Sequence, residues 1–83
     1  MLTFDEARRV VQADDRHRPV DAEGRPYPVA RCGWENDDVY VVPFDYGDDT
    51  PLTDEPARLV DKQTGRLAFR NPSELPPELR PVT

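Results

Sequence analysis

The chain has few residues of the kinds that hold metal ions or act as nucleophiles. It has one histidine, His17, and one cysteine, Cys32, among 83 residues. A structural zinc site needs about four ligands and an internal disulfide needs two cysteines, so one chain provides neither. A Cys–His nucleophilic pair requires both side chains in one site, but we interpret His17 as a surface residue in a charged loop and Cys32 as a small core thiol. We therefore predict that the protein is not an enzyme and has no metal or cofactor.

The sequence is also short of basic charge and of long apolar runs. Eleven Lys and Arg residues stand against seventeen Asp and Glu, giving a formal net charge of −6, and hydrophobic residues make up 36%. Nucleic acids and anionic membranes bind to basic surfaces, and no apolar run approaches the ~18 residues of a membrane span. The first residues do not have the pattern of a signal peptide. We therefore expect a cytoplasmic protein that binds neither nucleic acid nor membrane.

Two segments carry clear signals of local structure. Thr3 and Glu6 have the spacing of a capping box, in which each side chain accepts a hydrogen bond from the backbone N–H of the other. Apolar residues follow at helical spacing and predict a helix over residues 4–14. Further along, a turn that contains a glycine separates two short apolar segments, which predicts a hairpin with strands at residues 57–61 and 66–70.

Additional strands are predicted between the helix and the hairpin. Alternating residues indicate a strand over residues 27–34, residues 35–38 are typical of a turn, and residues 39–44 are rich in β-branched and aromatic side chains. The predicted fold class is α+β, with one N-terminal helix packed on a three- to four-stranded antiparallel β-sheet meander. The single domain is expected to span residues 1–70, and the Pro-rich C-terminal tail, residues 71–83, to be extended or flexible.

The acidic residues are concentrated in one part of the chain. Eight of them lie between Glu35 and Glu55, a window with no Lys or Arg. Their spacing does not match an EF-hand loop, so we predict no calcium site. We predict instead a contact surface for a protein with a basic surface, the alternative being a charged surface that only keeps the domain soluble. The predicted partner-binding residues are Glu35, Asp37, Asp38, Asp45, Tyr46, Asp48, Asp49, Asp54 and Glu55.

The large aromatic side chains are expected to serve both the core and this surface. Since so small a domain has few other large side chains, Trp34 and Phe44 are predicted to lie in the core. Tyr40 and Tyr46 are predicted to be half-buried, with hydroxyls that reach solvent. Trp34, Tyr40 and Tyr46 are close in sequence to the acidic residues and would supply the aromatic anchors that protein interfaces favour.

Three short motifs together carry a resemblance to a known family. The chain begins a helix with T-F-D-E-A, ends a strand with G-W and later forms the hairpin L-V-D-K-Q-T-G-R-L. Over about residues 3–70 it resembles the YrhB-like family of small bacterial immunity proteins, and the hairpin is also similar to that of PepSY-type inhibitory modules. The resemblance to the immunity proteins implies a helix-plus-sheet domain that binds a cognate toxin. The matching residues are Phe4, Glu6, Ala7, Gly33, Trp34, Val60, Asp61, Thr64, Gly65 and Leu67.

Two functional hypotheses follow from these observations. The first is a small non-catalytic protein-binding module, in the form of an immunity protein that neutralises a toxin through an acidic surface. The second is a structural or accessory protein that self-associates through an edge strand, for which residues 39–44 are the candidate because an exposed apolar edge invites pairing. The protein is accordingly expected to be a monomer or a homodimer.

Overall fold

A computed structural model describes residues 1–14, 19–45 and 57–82 as one α-helix and a five-stranded antiparallel sheet. The α+β fold class is therefore confirmed. In these ranges no helix has the length and apolar character needed to cross a membrane. The elements are α1 (Phe4–Ala13), β1 (Trp34–Glu35), β2 (Val39–Val41), β3 (Ala57–Asp61), β4 (Leu67–Arg70), a 3₁₀-helix (Pro72–Glu74) and β5 (Arg80–Pro81).

Helix α1 begins at the predicted capping box. Thr3 Oγ1 accepts a hydrogen bond from the Glu6 N–H at 3.2 Å, and Glu6 Oε1 accepts one from the Thr3 N–H at 3.0 Å. The Thr3 hydrogen bonds stabilise the Glu6 carboxylate and hold its pKa below the ordinary value. The helix ends at Ala13, one residue before the predicted end. It packs on the sheet through the predicted apolar face, which consists of Phe4, Ala7, Val10 and Val11.

The sheet has the strand order β4-β3-β2-β1-β5. Strands β1 to β4 are neighbours in sequence order and form the predicted meander. The fifth strand joins the outer edge of β1, where Glu35 pairs with Arg80 and Trp34 with Pro81, so the sheet has five strands and not three or four. A two-residue strand that contains a proline shows no alternation of apolar and polar residues, so the sequence pattern does not reveal it.

The strand predicted over residues 27–34 is mostly wrong. Only Trp34 belongs to a strand, and the segment before it makes two isolated bridges, Val20 with Pro26 and Val29 with Phe44. Pro26 and Pro28 have no N–H to donate, so this segment cannot build a continuous ladder. The interpretation of residues 39–44 as an edge strand is also wrong, because β2 lies between β1 and β3.

The two faces of the sheet have different surroundings. On one face Tyr40, Val42, Phe44 and Val60 form the main core with α1. On the other face, Trp34 lies opposite Val41, Val41 opposite Leu59, and Leu59 opposite Ala68. Val41 and Leu59 are both 7% exposed, whereas Trp34 is 46% exposed. The row of apolar side chains on this second face therefore ends in a tryptophan that reaches solvent.

The surroundings of the individual side chains show which of the predictions about them are correct. Phe44 lies in the core as predicted, but Trp34 does not, because β1 has only the short strand β5 outside it. Tyr40 is buried, and its hydroxyl donates to the Leu2 carbonyl at 3.1 Å and does not point to solvent. Cys32 is exposed, so the prediction of a core thiol is wrong. It precedes β1, where no strand alternation directs its side chain inward.

Candidate functional site

The hairpin between β1 and β2 carries three of the predicted acidic residues, Glu35 in β1 and Asp37 and Asp38 in a tightly hydrogen-bonded turn. Asn36 Oδ1 accepts from the N–H of Asp38 at 2.8 Å and from that of Val39 at 2.9 Å. The Asn36 N–H in turn donates to the Val39 carbonyl at 3.1 Å. An asparagine that bonds to the backbone ahead of it is a common way to fix a turn. Residues 36–38, named here the acidic turn, therefore hold Asp37 and Asp38 exposed to solvent.

Two basic residues from distant parts of the chain face these carboxylates. The buried Lys62 places its ammonium 2.7 Å from Glu35 Oε1 and 4.6 Å from the centroid of the Tyr40 ring. Arg80 lies 3.3 Å from Asp37 Oδ1 and 4.0 Å from Glu35 Oε1. We call Glu35, Asp37, Lys62 and Arg80 the ion-pair cluster. Its two positive charges balance those of Glu35 and Asp37, so Asp38 supplies the remaining negative charge of the hairpin, although the Asp37 carboxylate stays accessible to solvent.

The acidic turn is also tied to the rest of the fold through the backbone of Lys62. The Lys62 N–H donates to the Asp38 carbonyl at 2.9 Å, and the Lys62 carbonyl accepts from the Leu2 N–H at 2.8 Å. The Leu2 carbonyl accepts from the Tyr40 hydroxyl. The start of the helix, the β1–β2 hairpin and the end of β3 therefore meet at one point. A turn held from several sides is suited to present side chains in a fixed arrangement.

Asp45 lies well away from the acidic turn. It follows the Phe44 bridge at the far end of the extended segment that begins with β2, and its N–H donates to the Pro28 carbonyl at 2.8 Å. It lies seven positions after Asp38, which corresponds to about 23 Å of extended chain. The structure thus places Glu35, Asp37 and Asp38 together and Asp45 apart from them. His17 lies outside the described ranges. So do the other predicted partner-binding residues, Tyr46, Asp48, Asp49, Asp54 and Glu55.

The exposed tryptophan belongs to the same hairpin as the acidic turn. Trp34 is the single tryptophan of the chain and lies on the sheet face opposite to the helix. Its cross-strand neighbours there are Val41 on β2 and Pro81 on β5. The β1–β2 hairpin therefore presents a large aromatic side chain on its second face and two aspartates at its tip, and this combination is the candidate contact site.

Other kinds of site find little support in the described residues. Within residues 1–14, 19–45 and 57–82, no three His, Cys, Asp or Glu side chains come together as metal ligands. A shallow groove of about 300 Å³ lies at the end of β4, lined by Phe69, Arg70, Asn71 and Glu74. Strand β4 forms the edge of the sheet opposite to β5, so this groove is remote from the acidic turn.

The turn of the β3–β4 hairpin, in contrast, has a structural role. Asp61 Oδ1 accepts from the N–H of Gln63 at 2.8 Å and from that of Thr64 at 2.9 Å. These two hydrogen bonds stabilise the charged carboxylate, so they hold the pKa of Asp61 below its ordinary value. Gly65 follows with a φ of 74°, which glycine adopts readily. The resemblance residues Asp61, Thr64 and Gly65 thus form the turn itself.

No protein family, curated protein or solved structure matches the chain. The site is therefore interpreted from its own residues.

Sequence reasoning missed the basic half of the site. The ion pairs of Lys62 and Arg80 with Glu35 join residues 27 and 45 positions apart. No local pattern links such residues, and Arg80 was placed in a tail outside the domain. The single lysine of the chain, next to Asp61 in a turn, is the one signal that could have suggested a special role, but not its partner.

Proposed function

We propose that this protein is a small, non-catalytic protein-binding module whose contact surface is the β1–β2 hairpin. Trp34 acts as the apolar anchor, and the acidic turn faces a partner with a basic surface. The exposure of Trp34 carries the proposal: a chain with one tryptophan leaves 46% of it in solvent. Tryptophan is among the residues that contribute most to protein interfaces, because it buries a large rigid surface at a small cost in side-chain entropy.

The charge around the tryptophan supports a basic partner. Asp37 is 90% exposed although it lies 3.3 Å from Arg80, and the neighbouring Asp38 is exposed as well. The chain as a whole carries a net charge of −6. Opposite charges on two surfaces accelerate their encounter and select among partners more than they add to affinity. The aspartates therefore supply selectivity and rate, while Trp34 supplies most of the binding free energy.

The resemblance to YrhB-like immunity proteins bears on the class of partner. It makes a protein toxin the first class to test, with the module acting as the neutralising protein. The toxin hypothesis rests on the motifs in the sequence, whereas the hairpin surface rests on the exposure and charge of Trp34 and the aspartates. The two hypotheses are separable, since the hairpin can bind a basic protein that is not a toxin.

The experiment compares proteins captured from a lysate of the native host by immobilised wild type and by matched variants. Trp34→Ala removes the anchor, and Asp37→Asn with Asp38→Asn removes the charge of the acidic turn while keeping its shape. Val20→Ala is the control, because Val20 is another exposed apolar residue, at 54%, on a different loop. Circular dichroism verifies that each variant folds.

The proposal expects a captured protein that is recovered by wild type and Val20→Ala but lost with Trp34→Ala. With that protein purified, Trp34→Ala should weaken the affinity at least about thirtyfold, as for an interface hot spot. The double asparagine variant should bind several-fold more weakly and with less dependence on salt. If every captured protein binds Trp34→Ala as tightly as wild type, the hairpin is not the contact surface and the proposal is wrong.

A further inference from the structure

The C-terminal strand β5 is attached to the sheet by few contacts. It pairs with β1 through two residues, and both of them, Arg80 and Pro81, are exposed. Pro81 has no N–H to donate, and the next residue, Val82, donates its N–H to the Gly33 carbonyl at 2.9 Å. The side chain of Arg80 adds its ion pairs with Asp37 and Glu35. Val82 is half-buried against the main core, and Asn36 Nδ2 donates to the Pro77 carbonyl just before the strand at 3.4 Å. Strand β5 is thus a short edge strand held by a small, well-defined set of interactions.

The connection that leads to β5 crosses the whole sheet. Strand β4 forms one edge of the sheet and β5 the other. Because each of the four neighbouring pairs is antiparallel, β4 and β5 run in the same direction. Residues 71–79 must therefore span four strand spacings, about 19 Å, and also return to the end of the sheet from which β5 starts. Closure of β5 onto its own sheet depends on the conformation of this connection.

The connection carries backbone strain immediately before β5. Glu78 has a φ of 63°, the one positive value for a non-glycine residue in the described part of the chain. Residues with a Cβ atom disfavour this left-handed conformation. Glu78 is exposed, so burial of its side chain does not compensate for the cost of this conformation. It directly follows Pro76 and Pro77, which restrict the backbone before it. The strain is located where the chain turns into β5.

We propose that β5 exchanges between two copies of this chain, so that residues 80–82 of each copy pair with β1 of the other. The exchanged strand would make the same contacts with Glu35, Asp37 and the Gly33 carbonyl as it makes within one chain. The edge of β1 therefore fits β5 of a second copy as well as its own. The exchanged form is favoured because Glu78 is released from its left-handed conformation. Strained hinges next to an exchangeable element are known to favour such domain swapping. The proposal is independent of the partner bound through Trp34.

A disulfide between cross-strand residues distinguishes exchange from closure. Trp34 and Pro81 lie opposite each other. The adjacent Gly33–Val82 pair is hydrogen-bonded, so Trp34 and Pro81 form a non-hydrogen-bonded pair, and the Cα atoms of Trp34 and Pro81 are expected about 4.5 Å apart. That distance suits a disulfide. The probe is the full chain with Trp34→Cys, Pro81→Cys and Cys32→Ser, unfolded in urea, refolded under reducing conditions and then oxidised. Refolding is done at micromolar concentration and at about 1 mM, the scale of an intramolecular effective concentration.

The proposal expects an internal disulfide after dilute refolding and disulfide-linked dimers after concentrated refolding, seen on a non-reducing denaturing gel. Light scattering on the unmodified chain should show a dimer over the same concentration range. If the disulfide of the cysteine variant stays internal at about 1 mM, or if this variant forms dimers that the disulfide does not link, β5 does not exchange and the proposal is overturned.

Variants of the strained residue test the cause of exchange without a disulfide. Glu78→Gly accepts the left-handed conformation, so for each chain the equilibrium shifts about fivefold from the exchanged form toward the closed form. Because a dimer contains two chains, its dissociation constant rises about twenty-five-fold. Glu78→Val tolerates that conformation less well and should lower the constant. Glu74→Gly is the control, since it removes the same charge and adds the same flexibility in the same connection without a positive φ. Equal constants for Glu78→Gly and Glu74→Gly would contradict the proposed role of strain.

Discussion

The ammonium of Lys62 lies 2.7 Å from the carboxylate of Glu35, and their side chains are 6% and 22% exposed. Glu35 is in β1 and Lys62 directly follows β3, so the pair bridges the two neighbours of β2. The ring of Tyr40, on β2 itself, lies beneath the ammonium at 4.6 Å from its centroid. A charged pair so little exposed is sensitive to the loss of one partner, because the other then stays partly desolvated. For Glu35, Arg80 at 4.0 Å compensates only in part.

Replacement of Lys62 alone should therefore cost more than replacement of the pair. We expect Lys62→Met to lower the free energy of unfolding by about 2 kcal/mol, since Glu35 keeps part of its solvent contact. The double variant Glu35→Gln with Lys62→Met should recover a substantial part of that loss. Urea denaturation of the wild type, both single variants and the double variant gives the coupling free energy.

An exposed ion pair of the same chain is the control for this cycle. Arg25 and Glu23 approach to 2.9 Å, but their side chains are 71% and 72% exposed. Their coupling should stay below about 1 kcal/mol. If both pairs give the same small coupling free energy, the Lys62–Glu35 pair does not hold the acidic turn and the rigid presentation of Asp37 and Asp38 loses its basis.

Substitution of Gly33 should destabilise the fold through steric overlap. A Cβ atom at this position would collide with the Val41 carbonyl and would lie 2.9 Å from Phe4 Cζ and 3.0 Å from Pro43 Cδ. We expect Gly33→Ala to lower the free energy of unfolding by about 2–3 kcal/mol, in the upper part of the range typical of overpacked cores. Urea denaturation measures the loss.

Gly24 provides the matched control for Gly33. It has a φ of 81° and nothing within 4 Å of the position of its Cβ, so Gly24→Ala costs only the conformational preference, about 1 kcal/mol. A smaller effect of Gly33→Ala than of Gly24→Ala would mean that the backbone of β2 yields to the added methyl group. The contact of Gly33 with helix and sheet would then not fix the start of β1.

The helix and the β3–β4 hairpin were predictable because their determinants are local. The Thr3–Glu6 cap and the Asp61–Gly65 turn each lie within five consecutive residues. Strand β5 was not predictable, since two residues that include Pro81 carry no periodic signal, and their place beside β1 depends on contacts across 45 residues. Trp34 was misplaced for a related reason: its exposure depends on the absence of a long strand outside β1, which is a property of the whole sheet.

The site shows the same division. The acidic turn could be predicted from composition and turn residues, and Asn36 gives it the expected local hydrogen bonds. The loss of free charge on Glu35 could not be predicted, because its partners Lys62 and Arg80 come from other strands. Net charge along the sequence therefore overstated the negative surface of this hairpin, because Lys62 and Arg80 balance two of its three carboxylates.

Stability at acid pH should depend on the turn formed by Asp61. Hydrogen bonds from the Thr64 and Gln63 N–H groups hold the pKa of its carboxyl below the ordinary 3.8. The stabilisation is complete above the pKa of the unfolded chain and is lost as the pH falls through the lower pKa of the folded chain. Asp61→Asn should therefore be less stable than wild type near neutral pH, and the difference should shrink below about pH 4. Urea midpoints between neutral pH and strong acid test this.

Asp21 is a second site of the same kind and serves as the comparison. Its carboxyl accepts from the N–H groups of Arg25 and Glu23, and these bonds lower its pKa as well. Asp21→Asn should show the same sign of pH dependence in a separate turn. A stability difference between Asp61→Asn and wild type that is independent of pH would show that the charge of Asp61 does not contribute.

The most direct test of the binding hairpin uses its own tryptophan as the reporter. In a ¹⁵N-labelled sample, the single indole N–H signal belongs to Trp34, and the protein recovered by capture is titrated into it. The account predicts that this signal and the backbone amides of residues 34–38 shift or broaden first and most strongly. Unchanged signals from Trp34 and the acidic turn, with the largest changes on helix α1 or at the end of β4, would contradict it.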